Sequence, residues 1–243
     1  MERAAFFSDA HLGSSIHEHE KEKEKKLLSF LEYAKSNFDM VCICGDLFDF
    51  WFEYQHAVIN RHFNILFKLS QLIESGVQVH YVSGNHDFWM RDFLVEEVGI
   101  KVHKDIFKTV IQELRIYVKH GDGIHKSDKG YRLLKKVLQN RAAIEIYRLI
   151  HPDIGVPLAH FCSNISRDKS ANKKFEGAED YREYAQNILN QNCDVVVLAH
   201  THEPLVEKLD GGFYLNPGDW ISHFSYGTID KNGVHLHFWD SEK

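Results

Sequence analysis

Short apolar runs that end in polar clusters recur along the chain. Runs of this kind, bounded by glycine and polar residues, predict buried strands. They span residues 4–7, 40–44, 77–82, 114–119 and 193–199. The stretches that follow them read, in chain order, SDAHLG, GDLFDFW, SGNHDF, HGDGIH and HTHEP. Histidine or aspartate directly after every predicted strand indicates chemistry at the strand ends.

Helical patterns lie between these strands. Apolar residues recur at helical spacing over 22–36 and 62–76, and the second pattern ends at Gly76, where a helix C-cap is expected. Strands that alternate with helices predict an α/β layered fold. Toward the end of the chain strand and turn signals alternate, with KNG at 231–233 as a hairpin turn, so we expect a more antiparallel, β-rich end.

Residues 124–190 carry few strand signals. The pattern over 131–151 predicts a basic helix, which Pro152 and Pro157 end. A second helical pattern covers 178–192. This stretch therefore departs from the strand–helix alternation of the rest of the chain.

Length and composition describe an ordinary globular protein. The 243 residues suit one large domain or two small ones, and we predict a single domain, 1–243, with 124–175 as a helical cap. A long crossover between two core strands is the alternative for that insertion. Hydrophobic residues make up 44% and charged residues 26% of the chain, and the net charge of -6 weighs against a protein that mainly grips nucleic-acid backbone.

Cysteine usage and the N-terminus point to a cytoplasmic protein. Four cysteines, Cys42, Cys44, Cys162 and Cys193, form no CxxC motif, and we expect buried, reduced thiols. The N-terminus has no basic region followed by an apolar one, and no apolar run is long enough to cross a bilayer. A role at a membrane surface remains open.

The polar residues at the strand ends are potential metal ligands. Ligand sites of open α/β folds collect at the carboxyl ends of strands. Alternate residues of an extended segment point the same way, so Asp9 converges with His11, and His200 converges with His202. One such pair is more often structural, but two pairs beside further strand-end ligands indicate metal. The ligands outnumber those of one tetrahedral zinc and suit two metals that share a carboxylate, with manganese, iron or zinc favoured over copper.

Five sequence blocks carry a resemblance to a known superfamily. In order they read DAH, GDLFD, GNHD, HGD and AHTH, and they extend from residue 9 to residue 202. The chain resembles the calcineurin-like metallophosphoesterase superfamily, whose usual blocks are D-x-H, G-D-x-x-[DE], G-N-H-[DE], a later H and G-H-x-H. Ala199 stands where that family often has glycine. The resemblance implies an α/β fold, a four-layer αββα sandwich of two mixed sheets.

The resemblance also implies a centre of two divalent ions, with manganese expected first and iron or zinc as alternatives. One metal would be held by Asp9, His11, Asp46 and His202, and the other by Asp46, Asn85, His120 and His200. Asp46 bridges the metals in this assignment, and Asn85 binds through its amide oxygen. His86 is a catalytic group outside the ligand set, where it stabilises phosphoryl charge or protonates the leaving oxygen. Asp87 either orients its neighbours or stabilises the turn.

Three stretches resemble the UDP-2,3-diacylglucosamine pyrophosphatase family of lipid A synthesis: GDLFDFWF, HGDGIHKSDKGY and LNPGDWISHFSY. That resemblance implies hydrolysis of the pyrophosphate, by attack of water on the α-phosphorus, to UMP and 2,3-diacylglucosamine 1-phosphate. The implied substrate-binding residues are Asn85, His86, Asp128, Tyr131, Arg167 and Lys169. A nucleotide-sugar lipid substrate further implies a cap with an apolar cleft and basic flanks, at work on the inner-membrane surface. An amphipathic helix packed on the core is the alternative for that cap.

Other functions remain in view at this point. Some members of the pyrophosphatase family have arginine where this chain has His86, which leaves open another nucleotide, phospholipid or small phosphodiester substrate. A non-catalytic scaffold is disfavoured because every expected ligand position is filled. A nuclease is disfavoured by the acidic charge, and no nucleic-acid partner is expected. The oligomeric state is not predicted.

Overall fold

Two sheets and their flanking helices make up the computed structural model, which describes residues 2–14, 17–171 and 177–240, without the side chains of 17, 18, 162 and 164–171. The strands are β1 (Ala4–Phe7), β2 (Met40–Ile43), β3 (Gln78–Val82), β4 (Lys101–His103), β5 (Ile106–Ile111), β6 (Leu114–Lys119), β7 (Val195–Leu198), β8 (Leu205–Leu209), β9 (Gly212–Asn216), β10 (Ser225–Asp230) and β11 (Gly233–Phe238). The α-helices are α1 (His17–Asn37), α2 (Phe63–Glu74), α3 (Phe93–Glu96), α4 (Lys129–Leu138), α5 (Arg141–Arg148), α6 (Pro152–Ala171) and α7 (Ala178–Leu189). A 3-10 turn at Asn60–His62 precedes α2.

The sheets are both mixed. The first has the strand order β11-β10-β1-β2-β3-β4, in which β1 to β4 run parallel and β10 and β11 add antiparallel pairs. The second has the order β5-β6-β7-β9-β8, with a parallel centre and antiparallel edge strands. The antiparallel, β-rich end expected from the sequence is confirmed, and its hairpin pairs Asp230 with Gly233.

Side-chain alternation along the strands produces the four layers. Phe7 packs in the cluster that includes α1 and α2, whereas its neighbour Phe6 packs between the two sheets with Val118. Tyr117 points to the far face of the second sheet and packs with Tyr181 of α7. The central strands are therefore buried on both faces, which is why they read as continuous apolar runs. The expected αββα sandwich is confirmed.

The helices between β6 and β7 differ from the expectation in two details. The stretch 131–151 is two helices rather than one, because Asn140 takes an extended conformation and accepts a hydrogen bond from the Ala142 N–H, which caps α5. Pro157 ends no helix: α6 begins at Pro152 and continues through it. A proline near a helix start removes one backbone bond and is tolerated better there than in the middle.

Two further expectations concern the cysteines and the absence of a membrane-spanning segment. Cys42, Cys44 and Cys193 are free thiols, and the Cys162 side chain lies outside the described residues. Across the described ranges, no helix has both the length and the apolar character that a membrane span requires.

Candidate metal centre

The candidate ligands follow the carboxyl ends of β1, β2, β3, β6 and β7. Backbone hydrogen bonds fasten the loops that carry them to one another. The Cys44 N–H donates to the Phe7 carbonyl over 2.7 Å, and the His11 N–H donates to the Asp46 carbonyl over 2.9 Å. In the second sheet the Ala199 N–H donates to the His120 carbonyl over 2.8 Å. These backbone bonds hold the loops that carry the polar side chains close together.

Five candidate ligands have a left-handed backbone. The φ angles are 52° at Asp9, 42° at His11, 53° at Asp46, 71° at His200 and 61° at His202. Each such angle costs a non-glycine residue about 1–3 kcal/mol, and structures retain that strain mostly at functional sites. The strain is therefore an independent sign that the direction of these side chains matters.

One group of side chains surrounds Asp9. The His11 Nε2 atom lies 3.6 Å from Asp9 Oδ1 and 3.7 Å from Asp46 Oδ2. The His202 Nε2 atom lies 3.3 Å from Asp9 Oδ1, and the His202 ring stacks on the His11 ring. Asp9, His11 and His202 can present their ligand atoms to one ion.

A second group shares Asp46 with the first. The His120 Nε2 atom lies 3.3 Å from Asp46 Oδ2, 3.1 Å from Asn85 Oδ1 and 3.2 Å from His200 Nδ1. The His120 Nδ1–H donates to the Cys44 carbonyl over 2.8 Å, which leaves the Nε2 lone pair free for a metal. Asp46, His120 and His200 can also present their ligand atoms to one ion. Asp46 lies between the two groups, as a bridging carboxylate must.

The donor set fits a dinuclear centre. Among the described side chains, Asp9 Oδ1 and both ring nitrogens of His11 are buried and have no hydrogen-bond partner. Buried polar atoms without partners are rare because each costs desolvation energy. Asp9 Oδ1 and His11 Nε2 face other ligand atoms across gaps that a cation would fill, whereas His11 Nδ1 faces Asp49. The expectation of metal binding is supported, and the mixed carboxylate, amide and imidazole ligands do not identify the element.

The electrostatics favour positive charge in this centre. Burial lowers the pKa of His11 and of His120, but the carboxylates beside them outweigh it and raise these pKa values to about 9 and about 10. Burial raises the pKa of Asp46, but the imidazoles around it hold that pKa well below the usual range. Burial and the charge of His120 lower the pKa of His200 to about 4.

His86 lies beside the centre with its backbone N–H donating to Asp46 Oδ1 over 2.9 Å. Its Nδ1 atom lies 2.9 Å from the Asp49 carbonyl, so a neutral ring carries its proton on Nδ1. Burial lowers the pKa of His86, and the charge of His11 lowers it further. His11, Asp46 and His86 can also present their ligand atoms to one ion. The exclusion of His86 from the ligand set therefore stays a prediction.

Asp87 stabilises the turn that carries Asn85. Its Oδ1 accepts the Gly84 N–H over 2.8 Å, and its Oδ2 accepts the Phe48 N–H over 3.4 Å and the Tyr81 hydroxyl. Burial, together with the nearby charge of Asp46, raises its pKa to about 7. Of the two roles considered for Asp87, these contacts favour the structural one.

Of the predicted substrate-binding residues, Asn85 and His86 lie at the centre, beside His120 and Asp46, and the other four lie on or directly before α4 and α6. The Tyr131 hydroxyl donates to Asp122 Oδ2 over 2.6 Å, and Asp122 also accepts from Lys135. Asp128 immediately precedes α4. Arg167 and Lys169 belong to α6, but their side chains lie outside the described residues.

One buried carboxylate connects the centre to α6 and was not among the residues predicted from the sequence. Asp49 lies 3.7 Å from a ring nitrogen of His11 and 3.7 Å from His86 Nδ1. From α6, the Ser163 hydroxyl donates to it over 3.2 Å, and His160 Nδ1 lies 3.0 Å away. Its place as the second aspartate of GDLFD, three positions after Asp46, is the signal that could have marked it.

Comparisons with known proteins agree with this geometry. The family model of calcineurin-like phosphoesterases matches residues 2–204. A UDP-2,3-diacylglucosamine hydrolase of Porphyromonas gingivalis is 30% identical and covers 93% of both chains. Another, from Vibrio parahaemolyticus, is 23% identical over 95% of this chain and 96% of its own. Among solved structures, the E. coli phosphoesterase Yfce shares the fold with a TM-score of 0.50 and 16% identity, covering 99% of this chain and 95% of that one.

Proposed function

The chain belongs to the calcineurin-like phosphoesterase family, and from that premise we propose that it hydrolyses the pyrophosphate of UDP-2,3-diacylglucosamine to UMP and 2,3-diacylglucosamine 1-phosphate. The observation that carries the chemistry is the place of Asp46 between two clusters of potential ligands. Its Oδ2 lies 3.7 Å from His11 Nε2, in the cluster of Asp9, His11 and His202, and 3.3 Å from His120 Nε2, in the cluster of Asp46, His120 and His200. The substrate rests on similarity to the Porphyromonas gingivalis hydrolase over 93% of each chain.

The residues would have distinct roles in attack on the α-phosphorus. Divalent ions, when bound, would lower the pKa of a water and neutralise phosphoryl charge. Asp9, His11, Asp46 and His202 would hold one ion, and Asp46, Asn85, His120 and His200 the other. The attacking oxygen forms its bond to the α-phosphorus as the bond to the oxygen of the lipid phosphate breaks.

His86 would act on the phosphoryl group. With Nδ1–H donated to the Asp49 carbonyl, the ring needs a second proton on Nε2 before it can donate to substrate. Burial opposes that proton, whereas the charges of Asp46 and Asp49 favour it. A bound pyrophosphate adds negative charge beside the ring and shifts the balance toward the imidazolium. His86 would then stabilise the transition state or protonate the leaving oxygen.

The insertion 124–175 would act as a cap over the acyl chains. Exposed apolar side chains cover α4 and α5, among them Leu133, Val137, Ile146 and Leu149, the last 86% exposed. Basic residues such as Lys136 and Arg148 lie on the same helices. Apolar surface beside basic residues suits a lipid with an anionic headgroup, and also the anionic face of the inner membrane, where the protein would bind peripherally from the cytoplasm.

The test compares two substrates in the presence of Mn²⁺. We expect turnover of both UDP-2,3-diacylglucosamine and bis-p-nitrophenyl phosphate by the wild type. Replacing the exposed pair Leu133→Gln and Val137→Gln should lower kcat/KM for the lipid by about 30-fold or more, because two lost apolar contacts at about 1 kcal/mol each make about 2 kcal/mol. The same change should leave turnover of the small ester unaltered. Hydrolysis of the ester without any turnover of the lipid would refute the proposed substrate.

A second candidate is a related phosphoesterase with another nucleotide or phospholipid substrate. The observation in its favour is His86, at the position where some of the similar pyrophosphatases have arginine. Mass spectrometry of a ligand that co-purifies with the protein would identify such a substrate or its product.

A further inference from the structure

The turn after β9 supports two candidate ligands from outside the centre. Asp219 is buried, and its Oδ1 accepts the backbone N–H groups of Ile221 over 2.8 Å, Ser222 over 2.7 Å and His223 over 3.1 Å. The adjacent Trp220 N–H donates to the carbonyl of Asp9 over 3.2 Å. The turn is thus internally braced and joined to the loop of a candidate ligand.

His202 lies between two carboxylates that face different nitrogens of its ring. Its Nε2 atom is 3.3 Å from Asp9 Oδ1, on the side of the metal centre. Its Nδ1 atom is 3.8 Å from Asp219 Oδ2, on the side away from it. The same Asp219 oxygen receives His223 Nδ1 over 2.7 Å.

From this geometry we infer that Asp219 is a positioning residue, which keeps the proton of His202 on Nδ1 so that Nε2 binds metal. The inference rests on the proposed function in one respect, that His202 is a metal ligand. A carboxylate near the non-binding nitrogen of a histidine fixes both the tautomer and the ring orientation. The 3.8 Å separation is longer than a hydrogen bond, so the inference requires a small rotation of the His202 side chain, which is 35% exposed.

The two oxygens of Asp219 have separable tasks, which makes the inference testable. Asparagine keeps the size of the side chain, and the three N–H donors hold its amide oxygen in the Oδ1 place. Its amide NH₂ then faces the two imidazoles and the Ser222 hydroxyl, which lies 3.3 Å from Asp219 Oδ2, and of the ring nitrogens it can donate only to a bare Nδ1. Asp219→Asn therefore preserves the turn while it drives the His202 proton onto Nε2, where it blocks the metal lone pair.

The experiment titrates metal-free protein with Mn²⁺ by calorimetry. For the wild type we expect two sites, and for Asp219→Asn one of the two weakened about 10- to 100-fold, the usual cost of losing such a partner. The matched control is His223→Gln, which removes the imidazole contact between His223 and Asp219 and leaves the contact between Asp219 and His202 in place. This variant should bind Mn²⁺ no more weakly than the wild type. Thermal unfolding of the metal-free variants checks that both are folded.

Several results would overturn the inference. One is Asp219→Asn binding Mn²⁺ within threefold of the wild type. Another is an equal loss in Asp219→Asn and His223→Gln, which would place the effect in the turn. If the wild type binds no Mn²⁺, both this inference and the proposed function are refuted. If it binds Mn²⁺ normally but does not hydrolyse the lipid, only the proposed substrate is refuted. The ¹⁵N spectrum of the Zn²⁺-loaded wild type needs no variant: we expect ligation through Nε2 with Nδ1 protonated, and ligation through Nδ1 would contradict us.

Discussion

Gly84 is the position where the smallest change should damage the centre most. A Cβ placed on Gly84 would lie 2.6 Å from the Asp46 nitrogen, 2.7 Å from Asp46 Cγ and closer still to Oδ1. Ordinary contact begins at 3.4 Å, so even the backbone nitrogen would have to retreat by roughly 0.8 Å. Asp46 has no free direction in which to move, because its carboxylate lies between the imidazoles of both metal groups.

The magnitude follows from the tolerance of a metal site. Ligand distances hold to within about 0.2 Å, and a displacement of about 1 Å at a catalytic group costs roughly 100-fold in rate. We therefore expect Gly84→Ala to lower kcat/KM by about 100-fold or more, with loss of bound metal. Crowding in a packed region should also lower the free energy of unfolding by about 1–3 kcal/mol.

Two other glycines provide matched controls for the same added methyl group. Neither Gly130 nor Gly76 has an atom within 4 Å of the added carbon, and only Gly76 has a left-handed φ, of +99°. Gly130→Ala should leave activity unchanged and raise stability by about 0.4–1 kcal/mol, because Gly130 lies in α4 with ordinary φ, and Gly76→Ala should lower stability alone. The assays are initial rates on bis-p-nitrophenyl phosphate with Mn²⁺, metal content by elemental analysis and thermal unfolding. A Gly84→Ala enzyme with two bound metals and wild-type kcat/KM would refute the reasoning.

Three further predictions concern His86, Asp49 and His80. His86→Ala should lower kcat by about 10²- to 10⁴-fold while both metals stay bound. Asp46→Ala should lose activity and bound metal together. Loss of metal from the His86 variant would show that His86 is a ligand. Asp49→Asn should lower kcat at least about tenfold, because its NH₂ would face imidazole nitrogens in place of a carboxylate, and unchanged steady-state kinetics would argue against a role for Asp49. Burial and the charge of His103 lower the pKa of His80 from 6.5 to about 4. Between these two pH values the unfolded chain binds a proton that the folded chain does not, so the free energy of unfolding falls as the pH drops from 6.5 to 4. Thermal unfolding of His80→Gln should show a smaller loss between pH 6.5 and pH 4, and an unchanged pH profile would contradict this.

Sequence alone was sufficient for features that depend on neighbouring residues. The central strands are buried on both faces, so they stand out as apolar runs, and the polar residues that follow them lie at the same edge of each sheet. The pair Asp9 and His11 and the pair His200 and His202 could be found for this reason. The extended backbone from which their convergence was predicted is wrong, because all four residues have a left-handed φ. The alternation of strands and helices predicted a layered α/β fold, and the αββα order of the layers came from the resemblance to the metallophosphoesterase superfamily.

Tertiary structure decided the features that depend on residues distant in the chain. Nothing local to Asp49 or Asp219 shows that one contacts His160 of α6 and the other faces His202. The passage of α6 through Pro157 likewise differs from what propensity suggests. The division of 131–151 into two helices instead follows from a local signal, the cap at Asn140, which the prediction of one helix missed. The sequence by itself determined which groups could bind metal and on which strands they lie. Only the folded chain decided how those groups are oriented, because a carboxylate and the histidine that it positions can be distant in the chain, so no sequence motif links them.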